Sequence, residues 1–352
     1  MNKQSLILAL LICVTLNSIC FSQNEPTKIS EQEASLFSEK EILPIKLSFS
    51  IKNIKKETND STYVASHFIY KNNEGLWDSL NVKIRARGNF RLKNCYFPPI
   101  KLKFKKSDLK ETIFKGEKRL KLVLPCINQS DKNDNVIKEY IAYKIFEIIS
   151  PYYFKVRMVD IEFEELKKNK SKIHLVKGFL IEDDERLAKR IDGKVYDRSV
   201  HPLQQDDLTS VRNAFFQFMI GNTDFSQAYQ HNVKLIFVEK KITPVPYDFD
   251  LAGLVNCSYA IVSQIGDKDM GIESVTQRKF RGFKRDMALF EQVRNEFIEK
   301  KPEIMATIDA CQSYFDNEKE FSVARNYVLD FFEIIANERK YKNQILDQAR
   351  LK

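Results

Sequence analysis

Apolar residues recur every second position in the first half of the chain and at helical spacing in most of the second. Residues 44–51 place Ile45, Leu47, Phe49 and Ile51 on one face and lysine or serine on the other, the pattern of a half-buried strand. Further strands are predicted at 63–70, 80–86, 98–104, 120–124, 156–163 and 173–181. The first half is therefore predicted to be mainly antiparallel β.

Helical periodicity interrupts this β-rich half once. Apolar residues from Val136 to Ile149 recur at helical spacing, and Asp134 or Asn135 precedes them as a cap. After the strands, helices are predicted at 185–191, from Asp207 to about Met219, and at 285–299, 302–314 and 318–348. A sheet-rich first half followed by a helix-rich second half predicts an α+β fold with two lobes.

One polar segment, residues 220–253, is predicted to form a site. Asp224 follows an apolar helix, Asn232 opens a strand, and Asp248 and Asp250 stand at the end of the returning strand. Because a hairpin brings its two ends together, these four side chains are expected to converge. Hard oxygen ligands of this kind suit Mg²⁺ or Mn²⁺ carrying phosphates. The alternative is that Asp and Asn serve here as ordinary turn residues.

The amino-acid composition indicates which kinds of ligand the chain could bind. The chain has 352 residues, 30% of them charged, and a formal net charge of +9, which fits an anionic ligand such as a nucleotide. No motif for binding RNA or DNA is present, so no nucleic-acid partner is expected. The four histidines lack H-x-x-x-H spacing, so a zinc site is not expected.

The N-terminus has the pattern of a secretory signal peptide. Lys3 precedes the apolar run Leu6–Leu16, and small residues precede Gln23. We therefore expect 1–22 to be removed, 23–42 to be a lead-in segment, and the mature protein to be extracytoplasmic, secreted or periplasmic, without a transmembrane segment. An N-terminal anchor is the alternative. Four cysteines remain after removal of the signal, with three possible pairings: Cys95, Cys126, Cys257 and Cys311.

Several motifs between residues 80 and 285 resemble the CotH kinase family, a divergent branch of the protein-kinase-like fold named for a spore-coat protein. The most specific are G-N-T-D-F at 221–225, H-N at 231–232 and P-Y-D-F-D-L-A-G at 246–253. Supporting motifs are R-A-R-G-N-F at 85–90, F-P-P-I-K-L-K-F at 97–104, K-L-V-L-P-C at 121–126, E-Y-I-A-Y at 139–143 and G-F-L-I-E-D at 178–183.

The resemblance implies a two-lobed protein-kinase-like fold, with a β-rich N-lobe over 43–184 and a mainly helical C-lobe over 185–352. It also implies phosphoryl transfer from ATP with Mg²⁺ or Mn²⁺ to an unknown acceptor, a protein, sugar or small molecule. By this resemblance Asp224 is the catalytic carboxylate, and Asn232 and Asp248 are metal ligands that Asp250 assists.

The same resemblance suggests a set of nucleotide-binding residues. Glu139 corresponds to the glutamate that pairs with the phosphate-binding lysine, although a solvent-facing helix position is the alternative. That lysine is either Lys121, by strand order, or Lys103, by the K-x-K pattern. Arg87, in a possible phosphate-covering loop, and Glu182 complete the expected cofactor-binding residues.

Three functions follow from these expectations. The first is an active phosphotransferase. The second is a catalytically degenerate binding module at the cell envelope, and the third is a calcium-stabilised structural protein using Asp248 and Asp250. Arg278 and Arg281, which follow the acidic residues, are interpreted either as contacts to phosphate or acidic substrate or as a solvated basic face.

Overall fold

Seven strands close into a barrel in the first half of the chain. The computed structural model describes residues 35–88, 90–128, 132–262 and 271–351. The barrel strands are β1 (Leu43–Phe49), β2 (Val64–Lys71), β3 (Trp77–Ala86), β4 (Ile100–Phe104), β5 (Arg119–Val123), β6 (Val156–Lys167) and β7 (Lys170–Glu182). In the described residues, three α-helices are inserted among them, α1 (Ile51–Glu57), α2 (Phe90–Asn94) and α3 (Lys132–Ile149), together with a 3-10 turn at Lys106–Leu109.

The order of neighbouring strands is β1-β2-β3-β4-β5-β7-β6, and β6 returns to β1. All pairs are antiparallel except β1 with β6, which run parallel from Leu43 opposite Val159 to Phe49 opposite Glu165. The expected two-lobed protein-kinase-like fold is therefore wrong, because its β-rich lobe was to be an antiparallel sheet and the observed core is a closed mixed barrel. Closure depends on pairing across more than 100 residues, which alternation within each strand does not reveal.

Alternating residues fill the barrel. On β1, for example, Ile45, Leu47 and Phe49 are buried while the lysine and serine between them are partly exposed. They join a cluster with Phe68, Tyr70, Phe104 and Phe114 in the barrel interior, where ring edges meet ring faces. Such buried aromatic side chains contribute a large share of a core's stability.

The second half contains a small sheet and long helices. Its elements are α4 (Asp184–Arg190), β8 (Lys194–Val195), α5 (Asp207–Met219), β9 (Val233–Val238), β10 (Lys241–Pro246), α6 (Met287–Asp309), α7 (Glu318–Ala336) and α8 (Glu338–Tyr341). A π-helical turn follows at Lys342–Leu346. The strands form the sheet β10-β9-β8. The expected boundary between residues 184 and 185 falls in the first turn of α4.

One of the expected helix breaks is absent. The sequence predicts separate helices at 285–299 and 302–314, but α6 continues through Pro302. Proline lacks the N–H that the helix would use and crowds the carbonyl four residues earlier. Here Ile304, Met305 and Ile308 beyond Pro302 are buried in the core, and their burial favours continuation.

Helix α3 connects the barrel to the helical half. Its apolar residues pack in one cluster with Phe179 of β7 and with residues of α5, α6 and α7. The buried ammonium of Lys138 donates to Glu320 on α7 (2.5 Å) and to the carbonyl of Val255 (3.1 Å). The helix inserted between β5 and β6 is thus the element that fixes the barrel against the segment after β10.

The expected signal peptide at 1–22 and most of the lead-in at 23–42 lie outside the described residues. In the part of the chain that the structure describes, no helix has both the length and the apolar character needed to cross a membrane.

Candidate functional site

The loop after α5 and the segment after β10 run side by side. Gly253 N–H donates to the carbonyl of Gly221 (3.1 Å), and Leu254 N–H donates to that of Ile220 (2.9 Å). Gly221 has a φ of +63°, and an added Cβ would lie 1.9 Å from the hydroxyl of Tyr327. The glycine therefore permits both the backbone turn and the close approach that bring 221–224 beside 248–254.

Asp224 and Asn232 are in direct contact, as the hairpin geometry predicts. The Asn232 amide nitrogen donates to the Asp224 carbonyl (2.6 Å) and to its carboxylate Oδ2 (3.1 Å). His231 Nε2 lies 3.0 Å from the other carboxylate oxygen, and this hydrogen bond raises the pKa of His231 above its ordinary value. Because the amide nitrogen is committed to Asp224, Oδ1 is the Asn232 atom available to bind a cation.

The hairpin pairing extends one residue beyond its strands and places Asp248 beside Asn232. Tyr247 N–H donates to the carbonyl of Asn232 (3.0 Å). Both Asn232 (φ +53°) and Asp248 (φ +63°) have left-handed backbones, which are uncommon outside glycine and are often found at functional sites. The Asp248 N–H donates to the hydroxyl of Tyr143 on α3 (2.9 Å), so α3 holds this turn in place.

A buried arginine that the sequence analysis did not single out lies among the acidic residues. The Arg91 guanidinium on α2 is 3.2 Å from Asp250, 3.6 Å from Glu139 and 4.0 Å from Asp248. The expected pairing of Glu139 with the phosphate-binding lysine is therefore not observed, since Glu139 pairs with Arg91. The sequence signal was a second arginine four residues after Arg87, but no pattern showed that it would be buried.

Three carboxyl groups share the single guanidinium of Arg91. The pKa values of Arg91, Glu139 and Asp250 reflect this excess of acidic over basic groups. Burial raises the pKa of Glu139 and of Asp250, and Arg91 only partly opposes the effect. Burial by itself would lower the pKa of Arg91, but Asp250 and Glu139 outweigh it and raise that pKa well above the usual range. The cluster is thus a group of acidic side chains in which Arg91 is the cation in direct contact.

Lys121 lies at the other side of the site. Its buried ammonium bonds to Asp184, which also contacts Lys234 (3.3 Å), and it lies over the rings of Phe154 (4.9 Å) and Tyr247 (5.2 Å). Burial would raise the pKa of Asp184, but the two ammonium groups outweigh it and hold that pKa below its usual range. Burial lowers the pKa of Lys121 itself.

The remaining expected cofactor-binding residues are placed differently. Lys103 is exposed on the outside of the barrel, over the ring of Tyr63 (5.6 Å). Glu182 is buried and bonds to Arg190 (2.8 Å). Arg87 follows β3. Burial is the main cause of the lowered pKa of Lys121; Asp184 opposes it, and the positive charge of Arg87 adds to it. Of the two candidate lysines, only Lys121 is near the acidic segment.

Arg278 and Arg281 hold the backbone of the site rather than forming an exposed basic face. Arg281 donates to the carbonyls of Thr223 and Phe225, the latter at 2.9 Å, and burial lowers its pKa to about 10. Arg278 donates to the carbonyl of Met219 (3.2 Å). Both arginines thus fix the end of α5 and the loop that carries Asp224.

The side chains at the site offer few ligands for a metal ion. Among the described residues, no three His, Cys, Asp or Glu side chains are grouped so that they could hold a metal ion. Asp250 is engaged with Arg91 and with the hydroxyl of Tyr259 (3.4 Å), whereas the Asp248 carboxylate is 27% exposed. Since Mg²⁺ is usually held by one or two protein ligands plus substrate phosphates, Asn232 Oδ1 and Asp248 fit that role.

The cysteines form one disulfide in the described chain, between Cys95 and Cys126. Cys257 and Cys311 are buried and unbonded to each other. The sequence left three pairings of the four cysteines open, and the Cys95–Cys126 bond belongs to one of them. Cys95 directly follows α2, so the bond ties the arginine-bearing helix to the end of β5.

No family model matches the sequence, and no curated protein matches it either.

Proposed function

We propose that this chain is a phosphotransferase that binds a nucleoside triphosphate such as ATP with Mg²⁺ or Mn²⁺ and phosphorylates a hydroxyl group of a still unidentified acceptor. The observation that carries the proposal is the Asp224–Asn232 pair. One amide orients a carboxylate through both its backbone and its side chain and keeps an oxygen for a cation beside Asp248.

The residues divide the chemistry among them. Asn232 Oδ1 and Asp248 would hold the cation, and Lys121 with Arg87 would contact the phosphates. The cation would neutralise negative charge that develops on the phosphoryl group. The Asp224 carboxylate, 27% exposed, would accept the acceptor's proton as its oxygen forms a bond to phosphorus. The bond from phosphorus to the bridging oxygen breaks, and the nucleoside diphosphate leaves with that electron pair.

Export to an extracytoplasmic location is part of the proposal. It is supported by the signal-like pattern at 1–22 and by the Cys95–Cys126 disulfide, because disulfides persist mainly in oxidising compartments.

The direct test is ligand-dependent stability followed by product analysis. A ligand that binds only the native state raises its melting temperature, so ATP with Mg²⁺ or Mn²⁺ is expected to stabilise the chain. Asp248→Asn is expected to lose this shift because it removes a metal ligand. Asp224→Asn is expected to keep the shift but to lose phosphate transfer measured by mass spectrometry. Asp160→Asn, on the outside of the barrel, is the matched control.

Two outcomes would contradict the proposal. A wild-type chain that binds no nucleoside triphosphate with any divalent cation cannot be a phosphotransferase of this kind. If Asp248→Asn and Asp224→Asn both bind like the wild type, the assignment of metal ligands is wrong.

A non-catalytic binding module is the second candidate. This candidate is favoured by Arg91, because its guanidinium already pairs with Asp250 and Glu139. Less negative charge then remains to attract a metal cation. Such a module would show a nucleotide-dependent thermal shift in the wild type and in Asp224→Asn alike, with no transfer by either.

A further inference from the structure

Arg91 is one of the most deeply placed cations of the described chain. Its side chain is 6% exposed, and Glu139 and Asp250 beside it are 1% and 8% exposed. Ionised groups removed from water are costly unless they are paired and hydrogen-bonded. The charge of Arg91 must therefore be balanced by the acidic side chains buried beside it.

The pairing inside the cluster is incomplete. Arg91 Nε and Nη1 and Glu139 Oε1 are buried but have no aligned hydrogen-bond partner, although charged groups lie 3.2–4.0 Å away. An arginine paired with a single carboxylate usually makes two parallel hydrogen bonds. Here the guanidinium is spread over three carboxylates, and two of its N–H groups are buried without an aligned acceptor.

The surrounding elements fix this arrangement. Cys95, four residues after Arg91, donates from its N–H to the Arg91 carbonyl (2.9 Å) and is disulfide-bonded to Cys126. Tyr96 N–H donates to the Cys126 carbonyl (2.7 Å), and Lys55 donates to that of Cys95 (2.6 Å). The short helix α2 is thus tied to the barrel on the side of its C-terminus, which limits how far Arg91 can move.

We propose that Arg91 is the built-in counter-cation of the acidic site, so that divalent metal and phosphate bind interdependently. Arg91 repels a divalent cation that arrives alone. The negative charge of a phosphate group bound near Asp248 offsets the positive charge of Arg91, and the metal then binds beside Asp248. The proposal names a regulation of the same site and rests on the proposed function only for the identity of the phosphate ligand.

Binding of Mn²⁺, followed by electron paramagnetic resonance, tests the proposal without any catalytic readout. The wild type is expected to bind Mn²⁺ alone weakly and to bind it at least about tenfold more tightly with pyrophosphate, a change of about 1.4 kcal/mol. Arg91→Gln is expected to bind Mn²⁺ alone at least about tenfold more tightly than the wild type, with no further gain from pyrophosphate. Arg91→Lys, which keeps the charge, should resemble the wild type for Mn²⁺ alone.

Arg85→Gln is the matched control, since Arg85 pairs with Asp60 (2.9 Å) outside the cluster and its loss should leave Mn²⁺ binding unchanged. If Arg91→Gln does not fold, the same comparison is made in the Glu139→Gln background, which removes the buried acid that Arg91 neutralises. Equal Mn²⁺ affinity with and without Arg91, or a wild type whose Mn²⁺ affinity ignores pyrophosphate, overturns the proposal.

The two proposals fail separately. Interdependent binding of Mn²⁺ and pyrophosphate without transfer from ATP would refute the phosphotransferase and leave the role of Arg91 standing. Transfer from ATP with Mn²⁺ affinity unaffected by Arg91→Gln would do the reverse.

Discussion

At the scale of single residues, unusual backbone positions build the candidate site. Asn232 and Asp248 both have positive φ, and each is held there by a contact from another segment, from Asp224 and from Tyr143 respectively. Such conformations cost of order 1–3 kcal/mol and persist where the surroundings impose them. The geometry of the site is therefore maintained by packing around it.

Gly221→Ala is expected to destabilise the protein more than Gly75→Ala. Both glycines have positive φ, +63° and +76°, but an added Cβ at Gly75 meets nothing within 4 Å whereas at Gly221 it meets the Tyr327 hydroxyl. Gly75→Ala thus measures backbone strain alone, about 1–3 kcal/mol, and urea denaturation gives both values. Tyr327→Phe should recover part of the excess. Equal losses for the two variants would show that the close approach is unimportant.

At the scale of elements, helix ends and covalent ties position the functional loops. Asp206 caps α5 by accepting from the Thr209 N–H (3.0 Å), and it pairs with Lys241 (2.9 Å) at the start of β10. One side chain therefore connects the helix that leads to Asp224 with the hairpin that leads to Asp248.

Asp206→Asn is expected to make the free energy of unfolding less dependent on pH in the acidic range. Burial would raise the pKa of Asp206, but Lys241 and the Thr209 groups outweigh it and lower the pKa. A lowered carboxyl pKa adds stability above the unfolded value of about 3.9, and this stability is lost as pH falls through the folded value. Asparagine keeps the cap but not the charge. Unfolding free energies of wild type and variant should converge at low pH, and a constant difference from about pH 2 to pH 6 would contradict the assignment.

Removal of the disulfide is expected to weaken the tie between α2 and β5. The bond closes a loop with a sequence separation of 31, for which a stabilisation of about 3 kcal/mol is typical. Cys95→Ser with Cys126→Ser should unfold at lower denaturant concentration than the oxidised wild type. The variant should also be insensitive to dithiothreitol, whereas the wild type should lose stability in it. A wild type unaffected by reductant would show that the bond contributes nothing.

At the scale of the whole molecule, the barrel and the helices are built into one unit. The described residues belong to a single compact unit, and α3 packs with β7 and with residues of α5, α6 and α7 in one cluster. The candidate site draws residues from both parts: Arg91, Lys121 and Glu139 from the first half, and Asp224, Asn232, Asp248 and Asp250 from the second. A change in either part is therefore expected to affect the site.

Export is a prediction for the whole chain. If 1–22 is a signal peptide, the mature protein isolated from cells should begin near Gln23, since the small residues before it suit cleavage. N-terminal sequencing or intact mass measures this directly. Isolation of the protein with Met1 at its start would refute the prediction.

The sequence by itself determined many of the local elements. The helical spacing from Val136 to Ile149 corresponds to α3, and the alternation predicted over 44–51 corresponds to β1 as far as Phe49, after which Ile51 begins α1. Each pattern reports which face of a single element is buried. The contact of Asp224 with Asn232 was also predictable, since the chain between them is short and the hairpin that follows fixes its direction.

Only the tertiary structure decided how distant elements meet. Closure of the barrel depends on β1 pairing with β6 more than 100 residues later, and the position of Arg91 among Glu139, Asp248 and Asp250 depends on α2, α3 and the loop after β10 converging. Local periodicity does not indicate which strands pair with each other, nor which arginine becomes buried. Those outcomes follow from packing the whole chain, which is why the sequence predicted a two-lobed fold with an antiparallel β-rich lobe and the structure shows a closed mixed barrel.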